Sequence, residues 1–133
     1  MDMPHKKDDF VFVFGSNLAG IHGAGAAVFA KRYKGAVMGV GHGRQGMSYA
    51  IPTKDAKIET LPLELIKPHV DVFIQYAYFH RQVMFQVTRI GCGLAGYKDE
   101  QIAPMFKGAP MNCYMPQEWL PFVGDLLSWG TVD

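Results

Sequence analysis

Lys54 and Asp55, at the end of the stretch Ser48-Tyr49-Ala50-Ile51-Pro52-Thr53, are the pair in this chain best placed for covalent chemistry. A lysine amine carried by a strand end into a ligand crevice can become a nucleophile, because desolvation favours its neutral form. On an open surface the same residue would be an ordinary solvated lysine. Ser16 and Asn17 stand at another strand end, after Phe10-Val11-Phe12-Val13-Phe14-Gly15. The amide of Asn17 is expected to hold a sugar hydroxyl; the alternative is a turn closed on its own backbone.

Glycine-rich loops frame both positions. Gly20-Ile21-His22-Gly23-Ala24-Gly25 follows the first strand and opens a small-residue helix, and Gly91-Cys92-Gly93-Leu94-Ala95-Gly96-Tyr97 follows a later apolar run. A helix N-terminus has unpaired amides and a partial positive charge, and glycine lets a phosphate approach the backbone. Neither loop has the spacing of a dinucleotide fingerprint or the Gly-Lys-Ser/Thr ending of a P-loop. Either loop alone could be a tight strand-to-helix turn. Two of them at strand ends point to a diphosphate held from both sides, with Tyr97 covering a ring or sugar.

The elements that must position these residues read as an alternation of strands and helices. A strand ending at Gly15 leads to a helix over 25–33 with Phe29, Ala30 and Tyr33 on its core face. Two strands, 36–40 and 48–53, are expected as a hairpin with Arg44 at its tip, either closing over a phosphate or simply solvated. The spacing of Ile66, Val70, Phe73 and Ala77 predicts a covering helix from about Thr60 to His80, with Pro68 near its first turns. A strand over 83–90, a short helix over 101–106, a short strand over 112–115 and a closing helix over 117–129 complete the chain.

Composition bounds what this domain does. The chain has 133 residues, 49% hydrophobic and 19% charged, with a formal net charge of +1, which fits one domain spanning 1–133 with a real core. The only basic cluster near a terminus, His5-Lys6-Lys7, is followed at once by Asp8-Asp9, so charge implies no nucleic-acid partner. No apolar run approaches the ~20 residues of a membrane span, and the first residues lack the apolar core of a signal peptide, so the cytoplasm is the expected location. Cys92 and Cys113 form no metal-binding pair, and His5, His22, His42, His69 and His80 show no ligand spacing, so no metal and no cofactor is expected.

Three motifs carry a family resemblance: His22-Gly23-Ala24-Gly25-Ala26-Ala27-Val28-Phe29-Ala30-Lys31, Tyr49-Ala50-Ile51-Pro52-Thr53-Lys54, and Arg89-Ile90-Gly91-Cys92-Gly93-Leu94. In order and separation they resemble macro domains, above all the branch that includes the terminal ADP-ribose protein glycohydrolases. The chain is also similar to short phage-associated macro-like proteins. The resemblance implies a three-layer α/β/α sandwich with a mixed, mostly parallel sheet. It implies an ADP-ribose ligand, free or on an ADP-ribosylated macromolecule. The site would then comprise Ser16, Asn17, His22, Gly23, Ala24 and Gly25 in the first loop, with Ile90, Gly91, Cys92, Gly93, Leu94, Ala95, Gly96 and Tyr97 in the second. Lys54 matches the lysine that attacks the anomeric carbon of the distal ribose.

Two departures bear on function. The acidic residue that follows Gly-Cys-Gly-Leu in that branch is Ala95 here, so turnover would need Asp55 or Asp99 as a substitute. The aspartate that holds the adenine amino group follows an earlier strand in many macro domains, and here Asp8 and Asp9 stand directly before Phe10 in its place. Three readings follow: a binding module for ADP-ribose or a related nucleotide, a hydrolase of an ADP-ribosyl bond or of a phosphate or acyl ester of ADP-ribose, and a macro-like scaffold for protein interaction.

Overall fold

Residues 10–14 alternate aromatic and aliphatic side chains, and both sets are buried, as befits a strand covered on two faces. In the computed structural model, which describes residues 9–131, this is strand β1, Phe10–Asn17. Val11 and Val13 join the larger core on one face, and Phe12 and Phe14 join a smaller one on the other. Helix α1 (Ala26–Tyr33) covers the smaller core through Ala27 and Ala30. Helix α2 (Leu63–Tyr78) covers the larger through Ile66, Val70, Phe73 and Ala77, the four positions its spacing predicts.

The remaining elements are β2 (Gly43–Gln45), β3 (Ser48–Lys54), β4 (Met84–Val87), α3 (Asp99–Ile102), β5 (Cys113–Pro116) and β6 (Ser128–Gly130). Two 3-10 helices, Ala103–Phe106 and Gln117–Phe122, lie beside β5 in sequence. The strands form one mixed α/β sheet in the order β2-β3-β1-β4-β5-β6. β1 is parallel to β3 and β4, β4 to β5, and β5 to β6; β2 alone runs antiparallel, against β3. No helix among the described residues is long and apolar enough to cross a membrane.

Several expectations are corrected. Residues 36–40 are a turn and not a strand: Gly35 and Gly39 adopt φ of 81° and 90°, and the carbonyls of Val37 and Val40 bond to His22. The hairpin is instead β2 with β3, turning at Gly46-Met47, and Arg44 lies within β2. Its guanidinium is bonded to the Gly46 carbonyl and the Tyr76 hydroxyl, so it caps no ligand loop. The expected closing helix is a 3-10 helix containing Pro121, followed by Gly124 at φ 70° and by β6. Proline and a left-handed glycine end the helical path there. Pro68 lies inside α2, and on α1 only Ala30 of the three expected core residues is buried. Phe29 and Tyr33 are exposed and stack outward from Phe12.

Candidate functional site

β1 and β4 are parallel neighbours whose chains leave toward opposite faces, β1 into α1 and β4 into the larger core side with α3. At such a point the outgoing loops separate and leave a crevice beyond the carboxyl ends of the strands. A cavity of about 400 Å³ occupies that position. The ends of β1, β3 and β4 supply Ser16 and Asn17, Thr53 and Lys54, and Thr88 to Ile90.

The two glycine loops meet across this cavity. Ala24 and Gly25 line it from the first, and Gly91, Gly93, Leu94 and Ala95 from the second. A Cβ on Gly25 would stand 3.7 Å from Leu94 Cδ1, so the loops are in contact distance. Gly25 is also the N-cap of α1, at φ 60°, with no side-chain cap and no acidic residue in the first turn. The leading amides of Ala26 and Ala27 therefore sit at the cavity wall with the positive end of the helix dipole.

Electrostatics favour an anion. Lys54 is partly buried in the wall, and its ammonium has no hydrogen-bond or ion-pair partner among the described residues. Among the described residues no carboxylate lines the cavity. Arg89 is already engaged: its Nε and Nη2 donate to the two oxygens of Asp99 at 2.8 Å each, and Trp119 Nε1 donates to Asp99 at 2.7 Å. The Arg89 guanidinium, helped by Trp119, holds the Asp99 carboxyl below the usual carboxylate range. Asp99 is thus an ionised clamp and not a general acid. Asp55 also lies off the cavity, its Oδ1 accepting from the amides of Lys57 and Glu59.

Of the sequence-predicted site residues, Ser16, Asn17, Ala24, Gly25, Lys54, Ile90, Gly91, Gly93, Leu94 and Ala95 come together here. His22, Gly23, Gly96 and Tyr97 do not. His22 is buried, with Nε2 donating to the carbonyls of Val37 (2.9 Å) and Val40 (3.1 Å) and its ring edge-on to Phe14. Tyr97 packs on the larger core and donates its hydroxyl to the Leu61 carbonyl at 2.6 Å, outside the cavity lining. Asn17 makes the turn that is the alternative to a sugar contact: Nδ2 donates to Ile21 O at 2.9 Å, and Oδ1 accepts from Ile21 N at 3.0 Å. Ser16 donates to the Gly41 carbonyl.

Cys92 lines an adjoining cavity of about 230 Å³, which shares Ala26, Thr88, Arg89 and Gly93 with the first. Burial, with the Asp99 carboxylate beside it, pushes the Cys92 thiol up to about 12, so it is protonated at neutral pH. Glu118 and Trp129 also line this second cavity. Asp9 stands before β1, at the opposite end of the strand from the site, roughly 25 Å away at strand rise. Asp8 lies outside the described residues. Ile21, Ile58 and Thr88 were missed by sequence reading, because no motif marks a wall residue that a turn or a strand end brings in. No protein-family model, curated protein or solved structure matches the chain.

Proposed function

We propose that this chain binds ADP-ribose or a closely related ADP-ribosyl nucleotide in a macro-domain-like site. The observation that carries the reading is the meeting of both glycine loops at one cavity, with the uncapped start of α1 and the unpartnered Lys54 in its wall. The diphosphate lies against the α1 amides and the Gly91 to Gly93 backbone, where helix dipole and glycine permit close approach. The terminal ribose lies toward Lys54. The adenosine end extends into the adjoining cavity, where Trp129 and Pro116 offer apolar surface and Glu118 a hydrogen-bond acceptor.

Gly93 provides the test. A Cβ built there meets nothing within 4 Å, and Gly93 lines both cavities, so Gly93→Val is expected to add bulk in open space where a ligand would approach. It is expected to melt like the parent and to lose ADP-ribose affinity by calorimetry. Equal affinity in the two proteins refutes this site. The hydrolase reading keeps one supporting observation, Lys54 in the wall, but among the described residues no carboxylate lines the cavity to move a proton on release.

A further inference from the structure

Ile58 is the one non-glycine residue among the described residues in the left-handed region, with φ 65°. A β-branched side chain is strained in that conformation, and strain of this kind persists only where surrounding contacts impose it. Here a turn imposes it: Asp55 Oδ1 accepts from the Lys57 and Glu59 amides at 2.8 and 3.0 Å, and Ile58 N donates to Asp55 O at 3.1 Å. The turn is tied down at both ends, by the Lys54 to Thr60 bridge and by the Thr60 hydroxyl on the Ala95 carbonyl at 3.0 Å. Core packing does not explain the isoleucine, since Ile58 remains 40% exposed. Its side chain instead lines the cavity that Lys54 also lines.

We propose that Ile58 is a specificity-determining wall that sets the size of the group accepted beside Lys54. It admits a terminal ribose with a free or small anomeric substituent and turns away one bearing a bulky ring, as in nicotinamide adenine dinucleotide. The ligand class is then free ADP-ribose or a small ester of it, which rests on the ADP-ribosyl reading of the cavity. The wall itself is a property of the chain and is measurable without a nucleotide.

Two arms test it. In the first, lysine acylation is mapped by mass spectrometry with acetic anhydride and with a bulky aromatic succinimidyl ester, taking exposed Lys57 as the reference. The parent's Lys54 is expected to lag Lys57 about tenfold further with the bulky reagent than with the small one, the order of discrimination a packed apolar pocket gives. Ile58→Gly is expected to close that gap without lowering the melting temperature, because glycine takes this φ freely. Ile58→Asn tolerates the same conformation and restores a side chain, so it is expected to restore the gap. In the second arm, calorimetry is expected to show ADP-ribose favoured over the nicotinamide dinucleotide in the parent and that preference reduced in Ile58→Gly.

An unchanged reagent gap in Ile58→Gly, or no recovery in Ile58→Asn, overturns the wall whatever the nucleotides do. An unchanged nucleotide preference in Ile58→Gly, in a protein that binds ADP-ribose, overturns it too. A reagent gap that behaves as expected in a protein that binds neither nucleotide keeps the wall and overturns the ADP-ribose reading instead.

Discussion

Asn17 holds both the backbone N–H and the carbonyl of Ile21, and that pairing gives it the work of a loop clamp. Asn17→Ala is expected to remove both bonds, destabilise the domain by ~0.5–1.5 kcal/mol because water can replace them at half-exposed Ile21, and weaken ADP and ADP-ribose to the same extent. A larger loss for ADP-ribose, measured by calorimetry, would return Asn17 to the sugar. Asp99 is a second residue whose role lies in its partners. Its carboxyl is lowered by Arg89, so the clamp is complete above the ordinary carboxylate value of ~4 and lost as pH falls through the lower folded value. Asp99→Asn should therefore lose stability at neutral pH, by about 1 kcal/mol given the exposure of Arg89. Thermal melts from pH 7 to pH 2 should show the two proteins converging at the acid end.

Among the elements, the first two loops interlock through glycine. A Cβ on Gly41 would stand 2.1 Å from Asn17 O, and one on Gly20 would stand 2.4 Å from the Gly39 carbonyl carbon and Val40 N. Backbone so close has no room to yield, so Gly41→Ala is expected to cost more than ~2 kcal/mol, read as a lowered melting temperature. Apolar periodicity made α2 legible, and the apolar run made β1 and β3 legible, because those residues are buried by regular structure. The glycine loops were legible because glycine itself marks where the chain turns at a strand end. Residues 36–40 were not, since their apolar side chains are mostly exposed and their backbone makes a turn whose carbonyls bond to distant His22. The roles of His22 and Tyr97 were hidden likewise: their hydrogen-bond partners, Val37, Val40 and Leu61, lie 15 or more residues away in the chain. Sequence spacing carries no trace of such partners.

For the molecule as a whole, the question is whether a binding site is also a catalytic one. Lys54 and Ala95 line the same cavity, and the two candidate carboxylates are committed elsewhere, Asp55 to its turn and Asp99 to Arg89. The parent is expected to release ADP-ribose from a small acyl ester slowly or not at all. Reduction with borohydride in the presence of ADP-ribose should leave a Lys54 adduct detectable by mass spectrometry. Ala95→Asp is expected to raise ester turnover by ~10²-fold, the lower end of general acid/base assistance, and to lose that gain when Lys54→Ala is added. Robust hydrolysis by the parent that survives Lys54→Ala would point to water as the nucleophile.

The chain has two tryptophans, and they report on different places. Trp119 is fully buried and bound to Asp99, whereas Trp129 donates to the Val87 carbonyl while its ring lines the second cavity. Intrinsic fluorescence can therefore separate two modes of occupancy. A ligand confined to the cavity beside Lys54, such as ribose 5-phosphate, leaves both indoles in their unliganded surroundings. A ligand long enough to reach from Lys54 to Trp129 changes the emission of one indole and not the other, and Trp119→Phe isolates that signal. The molecule carries its own optical ruler for the length of what it binds.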